Sequence, residues 1–369
     1  NMISKAGTNQ WHATAFEFLQ NRQLNANNFF NNFVGAPRAP FVYNQYGATL
    51  GGPVRKDQTF FFFNWEKVSQ RTLGQTFRTV PTDAQRTGDF SSTFDATGRL
   101  VTIYDPLTTR PDPARPGSYI RNPFPGNIIP VDRISPVARA VTQYYPRANV
   151  PGAGVTGTNN FFAQGSAPLD KDVYGIRVDH MFNASRRIFA RYTYDETFRG
   201  NANFYGNEAE ITTSDLPFKR YSAVLSYVDA LRPNVLLETR AGLNRYFTPR
   251  VTRSYGFDVT KLGMNPQVNS QMQIQSFPYF NIGDMNAIGA PYDDQLIQAN
   301  DSLTAAGTLT WIRSAHDIKF GAEYRLYRAN NNQMCGDILT MNFNRGFTQG
   351  SDPNAVASNS GFGYASFLL

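Results

Sequence analysis

Ile318-Lys319-Phe320-Gly321-Ala322-Glu323-Tyr324-Arg325-Leu326-Tyr327 is the stretch that decides the fold. Ile318, Phe320, Ala322, Tyr324 and Leu326 alternate with Lys319, Gly321, Glu323, Arg325 and Tyr327. Only an extended chain puts these two sets on opposite faces, because side chains alternate with period 2 along a strand. Just upstream, Leu303, Ala305, Leu309 and Trp311 oppose Thr304, Thr308 and Thr310. The same alternation runs through Tyr174, Ile176, Val178, His180 and Phe182, then Ile188, Ala190, Tyr192 and Tyr194, then Val235, Leu237, Thr239, Ala241 and Leu243. A helical period competes only around Ile134–Tyr145. The chain therefore reads as all-β and antiparallel.

The connections between these strands alternate in length. Short ones fall at about Gly52–Gln58, Asn183–Arg186, Ala230–Asn234 and Arg313–Asp317. Long ones fall at about Gln20–Tyr43, Gln70–Lys171, Arg199–Phe218 and Phe247–Asp301. A sandwich has no reason to gather every long loop at one end, whereas a transmembrane barrel has short periplasmic turns and long external loops. The expected fold is thus a partial antiparallel transmembrane β-barrel of about 10–11 strands with long extracellular loops. Twelve of the 22 prolines lie between Pro81 and Pro168, and proline cannot donate to a ladder, so the segment at about 70–171 reads as a long external loop. One short helix is expected in it, after Ser135-Pro136.

The charges sort by parity. Arg177, Asp179, Arg191, Glu238, Arg240, Lys319, Glu323 and Arg325 all share the non-lipid parity of their strands, which makes them lumen-facing candidates. A charge facing lipid at the bilayer midplane costs about 2–4 kcal/mol, so a barrel requires this segregation, although an ordinary wetted sheet would show it too. Trp11, Trp65, Tyr192, Tyr194, Trp311 and Tyr324 suit interfacial girdles or, equally, a core. Phe60–Phe63 puts large rings on both faces of one strand, which a filled lumen accommodates.

Composition narrows the function classes. The chain has 369 residues, with 30 Phe, 19 Tyr and 3 Trp, too many aromatics for a disordered chain. Its mean hydropathy is −0.42 and its longest run of large apolar residues is Phe60–Phe63, far below the ~20 residues of a membrane-spanning helix. The net charge is +7, but the basic residues form no run or stripe, and nucleic acid is not an expected partner. A single cysteine, Cys335, excludes an intrachain disulfide framework and a Cys-based zinc site, and three histidines leave little for metal chemistry. Asp179-His180 and His316-Asp317 are adjacent and point to opposite faces of a strand. No nucleophile elbow, phosphate loop, dinucleotide fingerprint or His-Glu-x-x-His motif occurs, so neither an enzyme nor a cofactor is expected. Asp293, Asp294 and Asp301 read as solvated charges rather than calcium ligands. The loop aromatics Tyr119, Phe124, Tyr144, Tyr145, Phe161 and Phe162, with Tyr279 and Phe280, either contact a ligand or pack the loops together, and packing is the preferred reading.

A series of segments resembles the TonB-dependent outer-membrane receptors, in particular the Oar-like group with a carboxypeptidase-regulatory-like N-terminal domain. Ser4-Lys5-Ala6-Gly7-Thr8-Asn9-Gln10-Trp11-His12 with Phe16-Glu17-Phe18 is similar to the plug–barrel junction. In the same order follow Asn44-Gln45-Tyr46-Gly47, Leu50-Gly51-Gly52-Pro53, Lys56-Asp57 with Phe60-Phe61-Phe62, Thr79-Val80-Pro81-Thr82, Gly88-Asp89-Phe90-Ser91 and Tyr104-Asp105-Pro106. Pro123-Phe124-Pro125-Gly126-Asn127 with Ile129-Pro130, Arg133-Ile134-Ser135-Pro136-Val137-Ala138, Arg177-Val178-Asp179-His180 and Lys319-Phe320-Gly321-Ala322-Glu323-Tyr324 complete the series.

The resemblance implies a 22-stranded barrel with an N-terminal plug, a ligand bound at external loops, and import powered through TonB-ExbB-ExbD. It also implies that residues 1–10 are the end of the plug and its junction, and that 11–369 are the N-terminal part of the barrel. Outer-membrane lipid and lipopolysaccharide would surround it, in the cell outer membrane of a Gram-negative-type bacterium. The chain starts in mid-pattern at Asn1 and ends at Phe367-Leu368-Leu369, and it is expected to be part of a longer protein. The alternatives are a plug-less outer-membrane barrel or adhesin, and a secreted soluble carbohydrate-binding β-protein.

Overall fold

The computed structural model describes residues 5–27, 29–33, 38, 40–211, 214–291, 295–334, 338–350 and 359–369. Nine long strands form one antiparallel sheet: β1 His12–Asn21, β2 Phe41–Arg55, β3 Thr59–Arg78, β4 Phe161–Met181, β5 Arg186–Arg199, β6 Leu216–Arg232, β7 Val235–Arg250, β8 Gln295–Arg313 and β9 His316–Met334. They lie side by side in chain order, so every neighbour in space is a neighbour in sequence. Nine is slightly fewer than the ten to eleven expected. The short segments Tyr279–Ile282 and Thr340–Phe343 pair in parallel with each other, away from the main sheet.

Tight turns close one end. Asp57, with a φ of 60°, turns the β2–β3 hairpin, and its backbone N–H donates to the Asn9 side chain at 2.8 Å. In the β4–β5 turn the Asn183 side chain accepts from the N–H groups of Ser185 and Arg186, mimicking a backbone turn. The long connections all leave from the opposite end.

The turns are staggered. One register row joins Asn64, Thr193, Asn244 and Tyr327 across the sheet. Below that row the first residues of β3, β5, β7 and β9 (Thr59, Arg186, Val235 and His316) lie 5, 7, 9 and 11 positions away. The sheet thus slips by about one residue per strand. With a rise of ~3.4 Å per residue and a strand spacing of ~4.8 Å, that slip corresponds to a tilt of about 35°, within the range of barrel walls.

The strands run further than their alternation indicated. β3 continues to Arg78 and β4 begins at Phe161, so the long connection is 79–160 rather than 70–171, and Pro168 sits inside β4 opposite Arg71. Beyond the region where one face is apolar, both faces meet water and the period-2 signal fades while the ladder persists. The expected helix is present as Pro136–Thr142. No helix among the described residues is long and apolar enough to cross a membrane, a statement that does not bear on strands.

The hydrophobic core is not in the sheet. Val80, Phe90, Ile103, Ile129, Val141, Leu262, Phe277, Ile288, Tyr364 and Leu368 are all fully buried and come from three separate stretches outside the long strands. The loops at the open end therefore fold into one packed cap.

Candidate functional site

Residues directly opposite in an antiparallel ladder project to the same side, so the register assigns every strand residue to one of two faces. Arg177, Asp179, Arg191, Glu238, Arg240, Lys319, Glu323 and Arg325 fall on one face, together with Asn64, Ser222, Asn244 and Thr304. On this polar face the charges pair locally. Arg177 forks onto Asp179 at 2.8 and 2.6 Å and lies 4.2 Å from the Phe189 ring. Arg325 pairs with Glu323.

The opposite face is apolar and uncovered. Phe63, Ile176, Tyr192, Leu225, Leu243, Leu303, Phe320 and Tyr324 all point this way and are exposed, the last two at 56% and 65%. Trp11 is exposed and packs edge-on against Phe61 of this face. Soluble monomers rarely expose a contiguous apolar surface of this extent.

The apolar face has upper and lower limits. On β9 it runs from Ile318 to Leu326 and ends at Arg328; on β5 it ends at Glu196 and on β3 at Lys67. Nine residues on a strand tilted by about 35° rise roughly 25 Å, close to the ~25 Å apolar band of an outer-membrane barrel. An aromatic row marks the upper limit: Trp65, Tyr174, Tyr194 and Tyr221 are register neighbours, with centroids 6.4 Å apart between Tyr174 and Tyr194 and 5.2 Å apart between Tyr194 and Tyr221. Their polar tips reach upward. Tyr194 donates to Glu196 at 2.8 Å, and the Trp65 indole N–H to Asp172 at 3.4 Å. Above them Lys67 pairs with Asp172 at 3.0 Å and Lys219 with Glu196 at 3.3 Å. At the lower limit Tyr227 donates to Asp229, which Arg186 holds at 3.0 Å. Rings within the band and polar tips at its edges are the arrangement of an interfacial girdle.

Buried polar groups hold the cap in one shape. Arg78, at the top of β3, forms an ion pair with Glu210 at 2.7 Å, and the two side chains are only 5% and 0% exposed. The guanidinium also lies 4.4 Å from the Tyr205 ring centroid. Arg86 donates to four carbonyls, of Pro81, Thr142, Tyr145 and Pro146; its burial lowers its proton affinity. The Asn127 side chain donates to Phe90 and Val101 and accepts from the N–H of Ile103. Arg133 donates to the Asp105 carboxylate at 3.0 and 3.2 Å and holds its pKa below the ordinary value. Burial pushes the Tyr145 phenol well up and that of Tyr364 to about 12. Tyr364 belongs to the segment Gly363–Leu368, buried throughout, which is tied to the helix Pro136–Thr142 by a 2.8 Å hydrogen bond between Tyr364 and Thr142.

The structure sorts the remaining expectations. Phe124, Tyr145 and Phe161 are inside the packed cap, so they present no ring to a ligand; Phe280 is equally buried. Tyr144 packs edge-on against Phe257 and Phe277, and Phe162 lies tilted against Phe77. Tyr119 remains partly exposed beneath the guanidinium of Arg121. Phe161 and Phe162 belong to β4, not to a loop. His180 projects on the apolar face near the turns, 2.9 Å from Thr59, and His316 opens β9. Asp301 ends the apolar stretch of β8, 3.7 Å from Arg245; Asp293, Asp294 and Cys335 lie outside the described residues. Among the described residues no group of three His, Cys, Asp or Glu is placed to hold a metal. Sequence reasoning followed charges and passed over the neutral amides Asn244, Gln298, Asn300 and Asn331, which gather on the polar face. Their parity was readable; that three strands bring them together was not.

Comparison with known proteins agrees with the two-faced wall. Residues 3–369 match the model of a family described as an outer membrane beta barrel domain. No curated protein sequence matches the chain. Among solved structures it is similar to in-vitro folded OmpT, an outer membrane protein of Vibrio cholerae, at 10% identity over 86% of this chain and 95% of that one, with a TM-score of 0.16. It is also similar to a triple mutant of the Rhodopseudomonas blastica porin, at 9% identity over 88% and 100%, with a TM-score of 0.08. At these TM-scores neither likeness carries an argument.

Proposed function

The chain belongs to the outer membrane β-barrel domain family, and from that premise we propose that it is part of the wall of a TonB-dependent receptor of the Oar-like group. It resides in the outer membrane. In this reading the polar face lines the lumen, a ligand binds at the external loops, and inner-membrane energy drives its import. The observation that carries the reading is the pairing of a tilted, two-faced wall with external loops folded into one hydrophobic body. An open pore has no use for so large an ordered cap, whereas a receptor needs a fixed external surface.

The sheet edges support a wall completed by other strands. β1 and β9 both run away from the tight turns, so they point the same way. Antiparallel closure then requires an odd number of further strands whose first and last run the opposite way. A second nine-strand copy would begin and end in the same direction as β1 and β9 and make both seams parallel, and an open edge cannot face lipid.

The test uses the full-length protein in a Gram-negative host. It is expected in the urea-resistant outer-membrane fraction, in a heat-modifiable form, and to bind the purified periplasmic domain of TonB. Recovery in the soluble fraction would refute the barrel. Membrane retention without TonB binding would select a passive barrel or adhesin instead.

A further inference from the structure

On the polar face, toward the strand ends that carry the loops, β5 to β9 enclose a recess of about 670 Å³. Its lining carries two charged side chains that project on this face, Asp195 and Arg220, and they lie 3.5 Å apart. Asp195 is further engaged by Lys171 at 3.4 Å and by the Thr197 hydroxyl. The charges therefore answer one another.

The neutral groups are the unengaged ones. Asn244, Gln298, Asn300 and Asn331 line the recess, and among the described residues none of their side chains bonds another protein group. The Asn300 carbonyl oxygen is buried and without a partner. A buried amide oxygen without a partner is costly; Asn244 and Asn331 stand exposed beside it, and each amide offers both donors and acceptors. Aromatic rings flank them: Phe218 stacks on Tyr246 at 5.8 Å, and Tyr327 on β9 stands 67% exposed. The backbone of β5 to β8 is already paired on both sides, so a ligand here meets side chains and no ladder edge.

We propose that this recess binds a neutral, polyhydroxylated ligand of oligosaccharide type, with hydroxyls bonded to the four amides and sugar C–H faces laid on Tyr246 and Tyr327. The proposal rests on the reading that the polar face lines the lumen. An extended polypeptide would look for backbone partners the wall does not offer, and an ionic ligand would look for unpaired charge.

The full-length protein is purified in a detergent without a sugar headgroup and titrated calorimetrically with maltohexaose, cellohexaose and mannohexaose, with hexaglycine as the contrasting probe. At least one hexaose is expected to bind, changing less than about twofold in affinity between low and high salt, as befits an uncharged ligand. Asn300→Leu combined with Asn244→Leu is expected to weaken it at least tenfold, and Tyr327→Ala separately by a similar factor, with heat-modifiable migration retained as the folding control. No hexaose binding, binding untouched by the double variant, or tighter binding of hexaglycine overturns the proposal. The underlying reading is scored separately, by a fluorophore on Leu303→Cys in a Cys335→Ser background. Quenching by brominated phospholipid upholds the apolar face as lipid-facing even if the hexaoses fail, and absence of quenching removes both.

Discussion

Deleting the Glu210 carboxylate would loosen the cap and leave the wall intact. Glu210 accepts from Arg78 at 2.7 Å and from the backbone N–H of Tyr205 at 2.7 Å, and both charged side chains are buried. Glu210→Ala strands the Arg78 guanidinium in a pocket formed in part by the rings of Phe204 and Tyr205, 5.2 and 4.4 Å from it. Breaking a buried pair from one side costs about 3–5 kcal/mol, because the remaining charge stays desolvated. At ~1.4 kcal/mol per decade, local opening becomes roughly a hundred- to a thousandfold more frequent. Cleavage of 200–211 and of 79–160 by a nonspecific protease, on the protein in micelles, reports that opening when reclosing outpaces cleavage. The rate should rise by about two orders of magnitude or more while hydrogen exchange in β5–β8 stays unchanged. Arg78→Met with Glu210→Leu should restore most of the protection, because an apolar pair replaces a buried ion pair at little cost. Unchanged cleavage in Glu210→Ala, or a double variant as labile as the single one, would refute the reasoning.

Three further outcomes follow from the faces and the cap. Leu225→Arg, on the apolar face, should lower stability in bilayers by about 2–4 kcal/mol, while Val224→Arg, its neighbour on the polar face, should cost much less; urea unfolding in vesicles reads the difference. Because Arg133 holds Asp105 below its ordinary value of 3.8, the pair stabilises the cap fully above that value and progressively less as the pH falls through the lowered one. Protease resistance of the cap should therefore fall below about pH 4, and the Asp105→Asn variant should have lost that component at neutral pH already. Gly289 has a φ of +100° and a Cβ placed there would stand 1.8 Å from the Pro278 carbonyl oxygen, so Gly289→Ala should cost about 1–3 kcal/mol and lower the thermal midpoint of the cap.

Much of the wall was legible in the sequence because lipid-type burial acts on one face only. Ile318 to Leu326 and Tyr174 to Phe182 carry their face assignment in their parity, and Arg177 and Arg325 share a face across five ladder pairings. Strand ends were less legible. At Ser69-Gln70-Arg71-Thr72 both faces are polar, so nothing in the sequence distinguishes ladder from loop, although the register with 167–170 is unbroken. The cap was hidden for a different reason: its core draws residues such as Val80, Phe257, Ile288 and Phe367 from distant stretches, and no local period marks them. That is also why Phe124, read beside proline and glycine as a surface ring, proves to be interior. The amide recess needed the lateral register of five strands, which no single strand encodes.

The hydrogen bond between Tyr364 and Thr142 spans 222 positions, and the Leu368 carbonyl oxygen accepts from the N–H of Ser135 at 2.7 Å across a similar distance. The wall, by contrast, joins each strand to the one made just before it. Loop-closure entropy therefore orders the assembly: hairpins form early and locally, and the cap waits for its last segment. Until residues 359–369 arrive, the stretch 79–160 lacks the partner that covers Val141 and the helix around it. Completion of the cap thereby reports that the ninth strand has already been laid, which makes its protease resistance a timer for the assembly of these nine strands.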